Sequence, residues 1–266
     1  MTPEAASANQ NAPVIEMTGV GIGSQRDLEA RVLEEVNWSV AAGDYWVVAG
    51  MDGSGKTDLM WLTAGLMPPR TGSYRFFGHE MPIYEDELLP ERLRLGLVFD
   101  GGQLFHHLTV AENIALPLHY HRNLTRQEGA DRVRAMLELT ELSSLANSMP
   151  GTLGRNWEKR VGLARALVLE PEVLLLDNPL GGLDLRHAGW WLDFLGQLSA
   201  GNKTWSNGRR LTLVATAEDL RPWRNRAGHF AILQKQRFMA LGQSEKLAGH
   251  SEPLVRELLA ETAPGN

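Results

Sequence analysis

The chain has 266 residues, 43% of them hydrophobic and 22% charged, which is enough to form the core of one large domain or of a domain with a compact subdomain. Its formal net charge of -6 argues against nucleic acid as the main partner, because a phosphate backbone is bound by a basic surface. The absence of cysteine excludes disulfides, thiolate metal sites and cysteine nucleophiles.

The first 12 residues lack both the basic start and the apolar centre of a secretory signal. We expect them to form a short disordered lead-in, followed by one domain over residues 13–262. The sequence also lacks the run of about 20 apolar residues that a membrane helix needs. We therefore expect a cytoplasmic protein that reaches a membrane only through a partner.

The first third of the chain predicts strands around one strand–loop–helix unit. The pattern becomes β-like at Val14, and a partly alternating stretch covers Val32–Val40. The short apolar segment Tyr45–Ala49 predicts a strand that ends in a glycine-rich loop. The helical spacing of Asp58–Leu66 stops before two prolines, and a second small strand is expected at Ser73–Phe77.

The rest of the chain adds a helical block and further strands. Residues from about 103 to 168 look mostly helical, with amphipathic runs at Thr125–Leu139 and Glu158–Leu169. The uniformly apolar Val173–Leu176 is typical of a parallel strand covered on both faces. This alternation predicts an α/β domain with a largely parallel sheet. The remaining predicted elements are strands at Leu211–Ala215 and Phe230–Leu233 and a helix from about Pro253 to Ala260.

The glycine-rich loop matches the pattern G-x-x-x-x-G-K-[ST] at every fixed position. Its backbone N–H groups can point at phosphate oxygens, and the following helix adds its positive end. We expect Lys56 to reach the β- and γ-phosphates of ATP and Thr57 to ligate Mg²⁺. The carboxylates of Asp52 and Asp58 would weaken anion binding by repulsion, unless solvation makes them nearly harmless. The loop consists of Gly50, Met51, Asp52, Gly53, Ser54, Gly55, Lys56 and Thr57.

The apolar strand Val173–Leu176 ends in Asp177, whose carboxylate is expected to hold Mg²⁺ at the C-terminal edge of the sheet. A buried strand that ends in aspartate is common by itself. Its distance from the glycine-rich loop and the following segment Pro179–Asp184, which reads Pro-Leu-Gly-Gly-Leu-Asp, make it informative.

Arg160–Leu167, the strand ending at Asp177, and Gly181–Asp184 together resemble the signature helix, Walker B strand and D-loop of ATP-binding-cassette (ABC) ATPases. The resemblance spans about Val14 to Ala260. It implies a P-loop NTPase (ABC ATPase) fold with an antiparallel β-subdomain and an inserted helical subdomain at about residues 103–165. It also implies ATP and Mg²⁺ as ligands, with Asp184 in the nucleotide site.

Three positions that the family uses for hydrolysis carry other residues. Asn178 replaces the glutamate that polarises the attacking water, and it cannot accept a proton at neutral pH. Ala217 replaces the switch histidine, and Asp100 replaces the Q-loop glutamine, which the nearby Gln103 could substitute only after a small loop shift. We expect weak or absent hydrolysis, because the loss of a general base costs roughly 10²- to 10⁴-fold in rate.

The family's signature Leu-Ser-Gly-Gly-Gln presents a hydroxyl and backbone N–H groups to the γ-phosphate held by the opposite subunit of a dimer. Gly154 lacks that hydroxyl, and Arg155 and Asn156 replace glycines that allow close approach, although an arginine can pair with phosphate. No adenine-stacking aromatic residue is evident around Val20–Gln25. Neither a homodimer nor a heterodimer with a standard partner would contain a fully standard site. The residues at the five signature positions are Leu153, Gly154, Arg155, Asn156 and Trp157.

The segment Val98–Leu118 is similar to the stretch after the Q-loop in ATPase subunits of Mla/Mce-type lipid-trafficking transporters, although amino-acid importers share parts of it. The segments Gly242–Leu247 and Pro253–Leu259 also resemble the end of those subunits. This resemblance implies an Mla-like transmembrane permease that docks into a groove formed by this region. It further implies a second ABC subunit, a copy or a paralogue, and a peripheral position on the inner face of the cell membrane.

Two other functions remain possible from the sequence. One is a non-hydrolysing regulatory or scaffolding pseudo-ATPase of an ABC complex, which turnover would distinguish. The other is a soluble ABC protein of translation or DNA repair, although such proteins usually carry two cassettes or a long coiled-coil insert.

Overall fold

The structure is a computed structural model that describes residues 13–24, 30–201, 208–247 and 249–260. Among these residues a 10-stranded mixed sheet carries helices on both faces. Its strands in chain order are β1 (Ile15–Gly23), β2 (Arg31–Val40), β3 (Tyr45–Gly50), β4 (Thr71–Phe76), β5 (His79–Glu80), β6 (Leu95–Val98), β7 (Val173–Leu176), β8 (Thr212–Ala217), β9 (His229–Gln234) and β10 (Arg237–Gln243). The spatial order is β5-β4-β1-β2-β10-β9-β3-β8-β7-β6.

Helices occupy connections between these strands, and a further helix follows β10. The inserted helical block lies between β6 and β7 in the chain. Two of its helices begin with a capping box, in which Thr109 and Thr125 each exchange hydrogen bonds with a glutamate three residues later. The helices are α1 (Lys56–Thr63), α2 (Leu89–Arg92), α3 (Val110–Arg122), α4 (Arg126–Leu139), α5 (Arg155–Leu167), α6 (Leu185–Ala200) and α7 (Pro253–Leu259).

The parallel part of the sheet is formed by β9, β3, β8, β7 and β6. Every residue of β3, β7 and β8 is buried, because helices cover both faces. The side chains of β7 alternate between two cores: Leu174 and Leu176 pack with α5 and α6, and Val173 and Leu175 pack with α1. The predicted parallel strand covered on both faces is confirmed.

The other part of the sheet is antiparallel, as the family resemblance implied. Strand β1 pairs with β2 and β4, and β4 pairs with β5. Strand β10 connects the two parts, because it pairs antiparallel with β9 and parallel with β2 at Arg237 and Glu34.

The structure differs from the sequence prediction in several elements. The helix predicted over Asp58–Leu66 begins at Lys56 and ends at Thr63, because Gly65 turns the chain with a φ of 71°. Residues 99–109 form a loop and residues 143–152 contain two short 3-10 turns, so the helical block is not continuous. The sequence did not predict β5, β6 or β10. The predicted lead-in over residues 1–12 lies outside the described residues.

Candidate functional site

The loop between β3 and α1 has a shape that depends on glycine. Gly53 and Gly55 adopt φ angles of 72° and 95°, in the left-handed region that residues with a Cβ rarely adopt. A Cβ on Gly55 would also clash with Val32, and one on Gly50 would clash with the hydroxyl of Ser54. The loop is therefore tightly curled, with the N-terminus of α1 directly behind it.

Lys56 is held inside this loop by backbone carbonyl groups. Its Nζ donates to the carbonyl oxygens of Gly50 and Met51, both at 2.8 Å, and lies 3.8 Å from Oε1 of Glu218, just after β8. Burial lowers the pKa of Lys56, and nearby carboxylates, Glu218 first, oppose that shift. The sequence analysis assigned no role to Glu218.

Asp177 connects the loop to strand β8. One carboxylate oxygen accepts a hydrogen bond from Oγ1 of Thr57 and the other from Oγ1 of Thr216, each at 2.9 Å. Burial raises the pKa of Asp177, and these two hydroxyl donors oppose the shift. A carboxylate beside a hydroxyl at the phosphate loop is a donor set that suits Mg²⁺, so the residues present fit this ion.

The sequence pattern assigned no role to Thr216. It is fully buried, donates to Asp177, and accepts a hydrogen bond from the backbone N–H of Asn178 at 2.8 Å. A hydroxyl residue at the penultimate position of a largely apolar buried strand is the signal that would have identified it.

Asn178 directly follows Asp177, and Ala217 directly follows Thr216. Asn178 adopts a φ of 46°, a left-handed conformation that asparagine tolerates better than most residues, and its side-chain amide lies against Gly181. Ala217 is buried and pairs with Ala49 of β3. Neither side chain can accept a proton from water.

Asp100 follows β6 and pairs with two cations of α5. Its carboxylate accepts two hydrogen bonds from Nη2 of Arg155, at 2.9 and 3.1 Å, and its Oδ1 lies 2.9 Å from Nζ of Lys159. Lys159 also donates to the carbonyl oxygens of Asn178 at 2.6 Å and Gly181 at 2.9 Å. Burial lowers the pKa of Lys159, and the hydrogen bond to Asp100 opposes the shift. The sequence indicated neither Lys159 nor the pairing of Asp100 with Arg155.

The other signature residues lie at the start of α5. Leu153 precedes Gly154, which is the N-cap residue and supplies no side-chain cap. Asn156 is buried, and among the described residues its side-chain nitrogen and oxygen have no hydrogen-bond partner. Asp184 caps α6 by accepting a hydrogen bond from the backbone N–H of His187 at 2.9 Å, which holds the pKa of Asp184 low.

The two acidic residues at the phosphate loop have different surroundings. Asp52 is exposed, and its carboxylate accepts the backbone N–H of Gly53 at 2.9 Å, a group that the curled loop would otherwise offer to phosphate. Asp58 lies half-buried in the first turn of α1. The exposure of Asp52 favours solvent screening of its charge over strong repulsion.

A buried asparagine shapes the loop that follows Asp100. The side-chain oxygen of Asn113 accepts the N–H of Phe105 at 2.9 Å. The two hydrogens of its amide nitrogen are shared among the carbonyl oxygens of Phe105, Leu108 and Thr109, at 3.0–3.1 Å. Phe105 itself is 46% exposed. The loop is thus held rigidly while it presents an aromatic ring to its surroundings.

The family model described as ABC transporter matches residues 33–181, more than half of the chain. The chain belongs to the ABC transporter family. The matched range begins in β2 and includes the phosphate loop, Asp100 and the Walker B residue Asp177, so these residues lie in the part of the chain that defines the family.

Two curated ABC relatives match different shares of the chain. Methionine import ATP-binding protein MetN of Brucella abortus is 39% identical over 175 residues, which cover 65% of this chain and 46% of that protein. The chain thus spans about half the length of this relative. The intermembrane phospholipid transport system ATP-binding protein MlaF of Escherichia coli is 28% identical over 235 residues, covering 88% of this chain and 85% of that protein.

Solved structures of ABC proteins share the fold. A dimeric ATP-binding cassette in a post-hydrolysis state, bound to ADP and phosphate, matches with a TM-score of 0.73 and 26% identity over 84% of this chain and 95% of its own. The protein cbiO1 of Clostridium perfringens matches with a TM-score of 0.72 over 90% of this chain and 92% of its own, at 20% identity. The predicted P-loop ABC ATPase fold is confirmed.

The described part of this ABC chain contains no helix with the length and apolar character that a membrane crossing requires.

Proposed function

We propose that this chain is the nucleotide-binding subunit of an ABC-type membrane transporter, that it binds Mg-ATP, and that its ATP hydrolysis is weak or absent. One observation carries the proposal: Thr57 and Asp177 are in contact at 2.9 Å beside the buried Lys56, and the residue that follows Asp177 is Asn178. The groups that bind Mg-ATP are gathered at one point, while the family's proton acceptor is missing there.

The binding residues have separate tasks in this proposal. Lys56 binds the β- and γ-phosphates, and Thr57 and Asp177 hold Mg²⁺, which when bound neutralises phosphate charge. Thr216 orients the Asp177 carboxylate through its hydroxyl. Two subunits pair, as the family resemblance implies, so that Leu153–Asn156 and Asp184 of one face the nucleotide held by the other.

Hydrolysis requires a group that takes a proton from the attacking water. The Asn178 amide lacks that basicity, Ala217 has no polar side-chain atom, and Asp100 is already paired with Arg155 and Lys159. The expected loss is roughly 10²- to 10⁴-fold in rate relative to a site with a general base.

A docked permease is supported by an exposed apolar surface around a cavity. A cavity of about 290 Å³ is lined in part by Leu66, Tyr84, Arg92 and His121. Leu66 and Tyr84 are 54% and 71% exposed, and Tyr120, next to His121, is 78% exposed. Exposed apolar side chains around a concavity are typical of a protein-binding surface.

A lipid-related substrate is supported by the length of the match to MlaF, which extends over most of both chains, whereas the match to MetN covers less than half of that protein. The proposed subunit therefore works with an Mla-like permease on the cytoplasmic face of the cell membrane, and reaches the membrane through that partner alone.

A non-hydrolysing regulatory or scaffolding pseudo-ATPase is the second candidate, and the same pair, Asn178 and Ala217, favours it. Magnesium-dependent phosphate release by the purified chain distinguishes the two, with Lys56→Ala as the blank. Slow release above the blank supports a weak ATPase, and release equal to the blank supports the scaffold. Release at the rate of a site with a general base contradicts both.

Purification of the tagged chain from detergent-extracted membranes tests the permease and the lipid. We expect an integral membrane protein of the permease type in equal amount, with lipid in the complex. A chain that is recovered with ribosomes or DNA-repair proteins would contradict the proposed partner and support a soluble ABC function.

A further inference from the structure

The two cations that share the Asp100 carboxylate differ greatly in exposure. The Arg155 side chain is 52% exposed, whereas that of Lys159 is 1% exposed. An exposed ion pair is held weakly because water solvates both charges. A buried charge that loses its partners is strongly unfavourable.

Lys159 is fixed by its acceptors. Besides Asp100, its ammonium group contacts the carbonyl oxygens of Asn178 and Gly181, so it joins the loop after β6 to the turn after the Walker B strand. Because this ammonium is shut off from water, it cannot leave these partners without an unsatisfied buried charge. We therefore expect the contact between Asp100 and Lys159 to persist when Arg155 moves.

The loop that carries Asp100 is fixed as well. The Arg165 guanidinium donates to the carbonyl oxygens of Gly102 at 2.7 Å and Gln103 at 3.1 Å. Gly102 is pressed against α5, since a Cβ on Gly162 would lie 2.9 Å from the Cα of Gly102. Asp100 consequently stays on α5 when Arg155 moves.

Arg155 lies at the open N-terminus of α5. Its side chain crosses Gly182, where a Cβ would lie 3.3 Å from Nε of Arg155, and then reaches Asp100. It is the one cation of the cluster that can turn away from Asp100 towards solvent, because it is half-exposed and Asp100 keeps Lys159 as its counter-ion.

We propose that Asp100 is an internal competitor of phosphate. It holds Arg155 when no nucleotide faces α5, and it releases Arg155 to the terminal phosphate of Mg-ATP bound by a second copy of this chain. This inference rests on the proposed function, because it needs bound Mg-ATP and two paired subunits. Asp100 and Arg155, which replace a glutamine and a glycine of the family, then act together. They set how much Mg-ATP is needed for the two copies to associate.

The exchange of Asp100 for the terminal phosphate gives Arg155 a more negatively charged partner. Arg155 leaves one carboxylate for a phosphate group with more charge and more acceptor oxygens, which pairs with a guanidinium through two parallel hydrogen bonds. Asp100 remains neutralised by Lys159, so no charge is left without a partner. The only loss is an exposed ion pair, which should weaken association by about two- to fivefold.

The test is self-association of the full chain in Mg-ATP, measured by sedimentation for the wild type, Asp100→Asn, Arg155→Gln and the double variant. We expect Asp100→Asn to lower the dimer Kd by about two- to fivefold. We expect Arg155→Gln to raise it by about tenfold or more, because a charge-assisted hydrogen bond to phosphate is lost. The double variant should behave like Arg155→Gln, since Asp100 acts only through Arg155.

Asp131→Asn is the matched control, because it removes the same charge from an exposed pair with Arg134 at 3.0 Å on α4 and should change nothing. Asp100→Asn leaves the buried Lys159 without a carboxylate partner, and this variant could fail to fold for that reason alone. The variant Asp100→Asn/Lys159→Met removes both charges of that pair and also frees Arg155. We expect it to lower the dimer Kd by the same factor as Asp100→Asn.

Equilibrium dialysis with Mg-ATP separates this inference from the proposed function. If the wild type binds no Mg-ATP beyond Lys56→Ala, the proposed function fails. If Mg-ATP binds but no variant self-associates, or freeing Arg155 has no effect, or the gain persists with Arg155→Gln, the competition by Asp100 is wrong and nucleotide binding stands.

Discussion

The two halves of the nucleotide site differ in how their charges are compensated. In the phosphate-loop half, Lys56 contacts two neutral carbonyl oxygens and faces the half-exposed carboxylate of Glu218 at 3.8 Å. Asp177 accepts hydrogen bonds from neutral hydroxyl groups, so a ligand can compete for both charges. In the signature half, Asp100, Arg155 and Lys159 compensate one another within the chain. The comparison shows that the charges of the phosphate-loop half are open to a ligand, whereas those of the signature half are already paired within the chain.

The largest effect is expected from Lys56→Ala, which removes the cation of the phosphate-loop half. Its ammonium makes charge-assisted hydrogen bonds to phosphate, so we expect Mg-ATP affinity to fall by about 10- to 100-fold. Calorimetric titration measures the change. Lys246→Ala removes an exposed lysine elsewhere and should leave affinity unaltered. Equal Mg-ATP affinity in Lys56→Ala and the wild type would contradict the comparison, because the phosphate-loop half would then not be the half that binds Mg-ATP.

A smaller effect on stability is expected from Ala217→His, which restores the family's switch residue. Ala217 is buried on a strand paired with Ala49, so a larger side chain must displace its neighbours. We expect a loss of about 1–3 kcal/mol in the free energy of unfolding. Thermal unfolding followed by circular dichroism measures it, and an unchanged Tm would mean that the site still has room for the imidazole.

The smallest effect is expected from Thr216→Val, which removes one donor to Asp177. Because burial already raises the pKa of Asp177, the loss of a hydroxyl donor raises it further. Magnesium needs the ionised carboxylate, so on acidification from about pH 8 to pH 5 Mg-ATP affinity should begin to fall at a higher pH than in the wild type.

The same substitution at Thr212 is the matched control for this pH profile. Thr212 is also buried in β8, but its hydroxyl accepts the N–H of Gly43. Thr212→Val should therefore keep the wild-type profile of Mg-ATP affinity. Identical profiles for Thr216→Val and wild type would show that Thr216 does not control Asp177.

The fold and the phosphate-loop half could be predicted from the sequence because their signals are local. The glycine spacing around Lys56 and the apolar run before Asp177 each lie within a few consecutive residues. The antiparallel β-subdomain came from the family resemblance. Short strands such as Leu95–Val98, which lies between charged residues and a loop, carry too weak a pattern to be separated from their surroundings.

The signature half could be predicted only as a set of separate substitutions. Asp100 and Arg155 are 55 residues apart, and Lys159 is a charged residue buried on its helix, which an amphipathic pattern does not predict. Their pairing depends on how the loop after β6 packs on α5, through Gly102 and Gly162. The sequence therefore predicted the missing groups at Asn178 and Ala217, but not the ion cluster beside them.

The most direct test of the central claim compares Mg-ATP turnover by the wild type, Asn178→Glu and Asn178→Gln. We expect Asn178→Glu to raise turnover by about 10- to 100-fold, which is below the full effect of a general base because Ala217 still lacks an imidazole. Asn178→Gln has the size of glutamate without its basicity and should remain at the wild-type rate. A wild-type rate that lies well above the Lys56→Ala blank and equals that of Asn178→Glu would contradict the account, because another group would then already accept the proton.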